Sequence, residues 1–249
     1  MTLPFSLAGR TALVTGSSRG IGKAIAMALG RAGAKVVFHG ASDSPALRTA
    51  LAEADAAGIA HDARFADIGS AAACDDLAAS CADADILVLN ASAQSYGRLA
   101  DFSDAAFDTL VNANVRASFR LVRAFGPKMA ERGWGRILAI GSVNQARPAP
   151  RLAIYAATKA AMRALVLTAA KEYAPGGVTV NTLTPGVIAT DRNAQALSDP
   201  AFTETLLKSI PAGRFGTPED CAGLALALCS DAGAYVTGAD LVVDGGFSL

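Results

Sequence analysis

Histidine is nearly absent from this chain. Only His39 and His61 occur in 249 residues, and neither stands at a metal-ligand spacing from another donor side chain, so no metal site is expected. Cysteine is sparse too: Cys74, Cys81, Cys221 and Cys229 include no Cys-x-x-Cys pair. Cys74 and Cys81 fall in one alanine-rich helical stretch at the spacing of a buried face, which reads as small buried thiols in a reducing compartment. Net charge is missing as well, since Lys+Arg 22 balance Asp+Glu 22. A balanced chain carries no basic footprint for phosphate backbones, so no nucleic-acid partner is expected. Charged residues interrupt every apolar run before it reaches the roughly 20 residues of a membrane helix. Residues 1–10 lack the cationic-then-apolar order of a secretory leader, so a cytoplasmic protein with no membrane partner is expected.

What is present is apolar and alternating. Hydrophobic residues make up 52% of the chain and charged ones 18%, enough to bury a large core and stay folded. Short β-branched runs alternate with longer alanine-rich segments. Strands are expected at Thr11–Thr15, Lys35–His39, Ile59–Phe65, Ile86–Leu89, Arg136–Ile140, Val178–Leu183 and Leu241–Val243. Helices are expected at Ile21–Ala32, Pro45–Ala57, Ser70–Cys81, Asp104–Glu131 and Ile154–Tyr173, with a last one opening at Thr217-Pro218. The fully apolar Ile86–Leu89 run is of the buried parallel-strand type. The pattern predicts an α/β fold, one doubly wound Rossmann-type domain over residues 1–249, with a parallel seven-stranded sheet and helices on both faces. The stretch Val187–Arg214 carries no clear element, and a lid or substrate loop is expected there.

Thr15-Gly16-Ser17-Ser18-Arg19-Gly20-Ile21-Gly22 joins the first strand to the first helix. Glycines there let a pyrophosphate approach the backbone at a helix N-terminus. Their spacing is Gly-x-x-x-Gly-x-Gly, a moderately specific pattern that an ordinary glycine turn could also show. An NAD binder carries an acid at the end of the second strand; this chain has Phe38-His39-Gly40-Ala41-Ser42, with no acid before Asp43. Arg19 could pair with a 2′-phosphate, and His39 and Ser42 could donate to it. NADP(H) is therefore favoured, with NAD(H) as the alternative should Asp43 reach back.

Tyr155 and Lys159 are four apart on one helix, hence on one face. A tyrosine of pKa about 10 exchanges protons poorly at neutral pH, and a neighbouring ammonium favours the phenolate; reaching about 7 takes roughly 4 kcal/mol. Chance pairs of this kind are common, but other residues converge. Ser142 follows Ala139-Ile140-Gly141 at the carboxyl edge, where α/β sheets hold ligands. Asn114 sits amid core-type neighbours, either as a satisfied core amide or as a group holding water beside Lys159.

Taken together, these residues resemble the short-chain dehydrogenase/reductase family across essentially the whole chain. The resemblance rests on Thr15-Gly16 through Gly22, Asp67-Ile68, Asn90-Ala91, Asn114, Ser142, Tyr155 with Lys159, Asn181, Pro185-Gly186 with Thr190, and Asp244-Gly245-Gly246. It is nearest to the 3-oxoacyl-carrier-protein reductases and the sugar or polyol dehydrogenases. The resemblance implies Tyr155 as general acid or base, and Lys159 lowering its pKa and holding the nicotinamide ribose. It implies Ser142 on the substrate oxygen and Asn114 anchoring a relay water. It further implies Gly16, Ser18, Arg19, Gly20, Ile21, Gly22 and His39 on the dinucleotide, Asp67 and Ile68 at the adenine, and Asn90, Ala91 and Ser92 along it. Pro185 and Gly186 would line the cofactor, and Ile188 and Thr190 would contact the nicotinamide amide. The family's Asn-Asn-Ala-Gly is Leu89-Asn90-Ala91-Ser92 here, so Ser92 sets a side chain where glycine admits the cofactor.

The expected activity is hydride transfer between NAD(P)(H) and a secondary alcohol or ketone. The substrate expectation is a 3-oxoacyl or small polar ketone reduced with NADPH, a sugar or polyol being the alternative. A silent dinucleotide-binding protein would have lost Tyr155 or Lys159, and both are present; an isomerase or dehydratase on this fold remains a third reading. Gln94, Tyr96, Asn144, Gln145, Arg147, Arg151, Arg192 and Asn193 are the expected substrate contacts, suiting a hydroxylated or anionic small molecule. The family also implies a homotetramer built on the long helices and the C-terminal strand.

Overall fold

The computed structural model describes residues 4–193 and 198–249. Its strands are β1 (Thr11–Val14), β2 (Lys35–Gly40), β3 (His61–Phe65), β4 (Ile86–Leu89), β5 (Gly135–Ile140), β6 (Val178–Pro185) and β7 (Asp240–Val243). Between them run α1 (Gly20–Arg31), α2 (Pro45–Ala56), α3 (Ala71–Ser80), α4 (Asp104–Leu110), α5 (Ala117–Glu131), α6 (Ala153–Tyr173), α7 (Pro200–Lys208) and α8 (Pro218–Cys229). All seven strands pair in parallel, in the order β3-β2-β1-β4-β5-β6-β7. That is the doubly wound sheet predicted.

Strand alternation sorts the core into two layers, because successive side chains leave opposite faces. Ala12, Val14, Val36, Phe38, Ile86 and Val88 pack with α1, α2 and α8 through Ile25, Leu29, Leu47, Ala50 and Ala225. Leu13, Val37, Leu87, Leu89, Ile137 and Ala139 pack the other way, on α3, α5 and α6 through Leu77, Leu121, Phe125, Met162 and Val166. The four cysteines are free and buried in these layers. Burial lifts the thiols of Cys74, Cys221 and Cys229 to about 11, 12 and 12, which leaves them protonated and inert at neutral pH.

Several boundaries differ from those expected, each for a local reason. Ile59 closes the end of α2 by donating its N–H to Ala54 O, so β3 starts only at His61. The carboxyl half of β6 runs on to Pro185 because Thr182–Pro185 pair with β7. Helix α4 starts at Asp104 as expected and is capped by Ser103, whose hydroxyl accepts from Ala106 N at 3.2 Å. The expected long helix from Asp104 to Glu131 is interrupted by a π-helical turn over Val111–Arg116. The 187–214 stretch holds α7, capped by Asp199, and an isolated bridge from Ile188 to Gly216; its residues 194–197 lie outside the described ones. Asp199-Pro200 is the same cap-then-proline signal as Thr217-Pro218, and marks α7 in the sequence.

Two helical glycines should respond oppositely to alanine. A Cβ on Gly22 would lie 2.3 Å from Asn90 Nδ2 and 2.4 Å from Gly16 O, whereas one on exposed Gly223 meets nothing within 4 Å. Thermal unfolding should find Gly22→Ala destabilised by about 1–3 kcal/mol and Gly223→Ala stabilised by up to about 1 kcal/mol.

Candidate active site

The strand order reverses between β1 and β4, and a cleft of about 1340 Å³ opens there at the carboxyl ends. Ordinary small-molecule pockets span roughly 300–1,000 Å³, so this one has room for a dinucleotide and a second small molecule. Its floor is the glycine loop. Gly16 and Gly20 take φ +65 and +57, a left-handed backbone that glycine adopts without strain. A Cβ on Gly16 would stand 2.9 Å from Ala91 Cα, so only glycine lets the loop pass β4 this closely. Helix α1 starts with no side-chain cap and no acidic residue in its first turn. Its positive end therefore opens on the cleft, the chemistry a pyrophosphate needs.

Above this floor stand the candidate reacting groups. Ser142 leaves β5, while Tyr155 and Lys159 rise from the first turns of α6. All three line the cleft and are buried. Lys159 Nζ donates to Ile140 O at 2.7 Å and lies 5.8 Å from the centroid of the Tyr155 ring. Ser142 Oγ accepts from Asn144 N and from Asn144 Nδ2, each at 3.2 Å. The Arg192 guanidinium reaches across the cleft to Ser92, donating to its Oγ and its carbonyl at 2.9 Å each.

Burial governs the electrostatics. It raises the Tyr155 hydroxyl above its ordinary value, against the pull of the Arg192 charge and of neighbouring Ser142. Burial also lowers Lys159 to about 7, with the Arg192 charge adding to the effect. Desolvation thus disfavours both charged forms, and at Tyr155 the groups that oppose it are Arg192 and Ser142.

Every residue expected on the dinucleotide except Ser42 lines this one cleft, and so do Gln94, Tyr96, Asn144, Arg147, Arg151, Arg192 and Asn193. Three of the expected site residues are engaged by the protein itself. His39 is buried, its Nδ1 accepting from Gly16 N at 3.1 Å and its Nε2 facing Ala66 O at 3.0 Å; with both nitrogens engaged it cannot donate to a 2′-phosphate. Burial also lowers its pKa, keeping it neutral. Gln145 turns away from the cleft, its amide donating to Thr184 Oγ1 at 2.9 Å and Asp240 Oδ2 at 2.8 Å. It braces the turn after Ser142 and touches no substrate space. Asn114 also lies outside the lining. Its Oδ1 accepts from Ala93 N at 2.8 Å, and its Nδ2 donates to Ala93 O and Thr158 Oγ1 at 2.9 and 3.0 Å. That is the arrangement of a satisfied core amide, with one acceptor position left on its Oδ1.

Asp43 is committed to Arg48 through two bonds of 2.8 Å. Neither it nor exposed Ser42 lines the cleft; Gly40 and Ala41 do. Phe202 and Leu206 of α7, and Phe247, add an apolar wall that the sequence reading did not include. Arg151, on the rim, holds φ +68, the one non-glycine described with a positive φ. Among the described residues no group of three His, Cys, Asp or Glu side chains could hold a metal, and no helix is long and apolar enough to cross a membrane.

A short-chain dehydrogenase model described as enoyl-(acyl carrier protein) reductase matches residues 16–248. The chain belongs to the short-chain dehydrogenase/reductase family. It is an oxidoreductase of that family, acting on hydroxyl groups with NAD(P). It is 39% identical to a gluconate 5-dehydrogenase of Gluconobacter oxydans over 98% of this chain and 97% of that one. Among solved structures, a 3-oxoacyl (acyl-carrier-protein) reductase of Agrobacterium tumefaciens with NADP bound superposes with a TM-score of 0.94, at 39% identity and 99% and 98% coverage. A gluconate 5-dehydrogenase of Burkholderia cenocepacia in complex with NADP and tartrate gives 0.93, at 34% identity and 98% and 97% coverage.

The burial of Lys159 has a measurable sign. A lysine that holds its proton less tightly folded than unfolded lowers stability most below its folded pKa, and the penalty fades as pH rises towards 10.5. Lys159→Met should melt at least about 5 °C above the parent at pH 7 and below. The gap should narrow by pH 10; a gap that stays constant in a pH series of melting curves would contradict this account.

Proposed function

We propose that this enzyme interconverts a secondary hydroxyl and a ketone on a small hydroxylated carboxylic acid of the gluconate type, with NADP(H). The observation that carries the substrate class is the Arg192 guanidinium, held by Ser92 close enough to Tyr155 to act on its proton affinity. Arg147 and Arg151 line the same cleft. A hydroxy acid sets a carboxylate a few atoms from its reacting carbon, which suits a planar guanidinium nearby. A 3-oxoacyl chain carries no charge there. The relatives named gluconate 5-dehydrogenase support the first reading. The apolar Phe202 and Leu206 wall, with the reductase likeness, favours an acyl ketone as the second.

In this reading Tyr155 exchanges the proton at the substrate oxygen, as acid for reduction and base for oxidation. Ser142 donates a hydrogen bond to that oxygen and stabilises charge developing on it. Lys159, fixed by Ile140 O, sits under Tyr155 and holds the ribose side of the cleft. When bound, the nicotinamide supplies or receives the hydride. NADP(H) over NAD(H) is supported by the end of β2, where Gly40 and Ala41 offer no carboxylate to a ribose hydroxyl. Exposed Arg19, in a loose 3.5 Å pair with Asp191, stands at the mouth to take a 2′-phosphate. We further propose a cytoplasmic homotetramer; exposed Phe107 and Phe119 on α4 and α5, and Val242 and Leu249 at the C-terminal edge, are the surfaces for it. A light-scattering mass of one chain would refute that assembly.

Initial rates at the reduced-nicotinamide absorbance band test the assignment, with gluconate, its neutral polyol counterpart and a short 3-oxoacyl thioester as substrates. Gluconate should turn over with NADP, and Tyr155→Phe should lose at least about 100-fold. Arg192→Leu should raise KM for the acid by about 10-fold or more and leave KM for the polyol unchanged, its effect through Tyr155 appearing in kcat for both substrates alike. Arg19→Ala should weaken NADPH by about 10-fold and spare NADH. Equal effects of Arg192→Leu on KM for acid and polyol, or turnover of the thioester alone, would overturn the substrate class.

A further inference from the structure

Ser142 begins the single turn Val143–Gln145 that follows β5, and that turn folds back on it. Its hydroxyl oxygen accepts from the Asn144 backbone N–H and from the Asn144 side-chain amide, each at 3.2 Å. A serine oxygen has two acceptor positions and one proton. Both acceptor positions are therefore filled from below, and the proton is what Ser142 has left to offer the cleft. The orientation of the Asn144 amide is itself determined. Its Oδ1 accepts from Ala149 N at 2.9 Å; a flipped amide would set NH2 against that N–H, donor facing donor. Gln145 Oε1 accepts from Ser142 N at 3.4 Å and ties the same turn to Thr184 and Asp240. The backbone under the serine is thus braced independently of Asn144's side chain.

We propose that Asn144 is a positioning residue: its side-chain amide, oriented by Ala149, commits Ser142 to donate its proton towards the reacting oxygen. It does so from within the turn that carries the serine, on the lining of the same cleft. The expected role of Asn144 as a substrate contact is the competing outcome that the test below separates. It rests on the reading above that Ser142 serves the reacting oxygen. The consequence is directional. Without the amide, the serine hydroxyl is free to swing round and accept from a substrate hydroxyl or water, and a donor that has to be reoriented during the reaction stabilises charge less well than a fixed one.

Asn144→Asp isolates the effect. Aspartate keeps the shape and keeps an oxygen for the Ala149 N–H, yet its second oxygen can only accept, so the Ser142 proton turns to it. Turnover (kcat) should fall by about 100-fold, with melting temperature and the NADPH dissociation constant from fluorescence unchanged. The added charge is separated by a double-mutant cycle. In a Ser142→Ala background Asn144→Asp should cause no further loss; multiplying losses would mean that Asn144 acts directly on substrate or through its charge, and would overturn the proposal. Asn144→Leu in the same cycle gives the uncharged version should the aspartate protein fail to fold. A raised KM with kcat preserved would likewise restore the substrate-contact role. If Ser142→Ala itself keeps full activity, the underlying reading of Ser142 fails. If Ser142→Ala is impaired and Asn144→Asp is not, only the present inference fails.

Discussion

Thr15 Oγ1 donates to Val88 O at 3.0 Å and accepts from Asn90 N and Ala91 N at 3.0 and 3.1 Å. Asn90 answers by donating its amide to Thr15 O and Gly16 O at 2.9 and 3.0 Å. This knot joins the ends of β1 and β4 at the point where the strand order reverses, and the cleft is the gap it leaves. The glycine loop can pass only because residues 16 and 22 lack a Cβ. The opening of α1, the floor and the far wall at Ser92 are all referred to these few bonds.

Next to the knot lies a second constraint, the burial of charge. Lys159 and Tyr155 are both disfavoured in their ionised forms, and Arg192 sits close enough to affect both. A site assembled for stability alone would hold neither a buried lysine nor a left-handed arginine at its rim. The surrounding frame over-determines both. Gln145, Thr184, Asp240 and Arg163 form one polar cluster behind Ser142, with Arg163 Nε donating to Asp240 at 2.8 Å. Asn114 and Thr158 fasten α6 to the chain leaving β4. These polar contacts hold the three side chains proposed to react, which come from two separate elements.

Seen from the sequence, the elements and the sheet were legible because apolar periodicity and glycine or proline punctuation are local signals. So was the membership of the cleft: the glycine loop, Ser142, Tyr155 with Lys159, and Pro185 through Thr190 all fall where βαβ geometry gathers strand ends. Helix α7 was equally legible in Asp199-Pro200, a signal hidden only by the irregular residues around it.

What local pattern could not supply was the direction in which a polar side chain faces. His39, Asn114 and Gln145 have the chemistry of site residues and sit within a few positions of the cleft. Yet each meets a backbone group or carboxylate from a distant segment: Gly16 and Ala66, Ala93 and Thr158, Thr184 and Asp240. The balance between Lys159 and Tyr155 likewise turned on burial, a property of the packed whole. The sequence by itself determined the order of strands and helices, the loop that must be glycine, and which residues reach the carboxyl edge. Only the tertiary structure decided which of them keep a free hydrogen-bonding group there. Periodicity acts between near neighbours, whereas hydrogen-bond satisfaction and desolvation depend on groups brought together from across the chain.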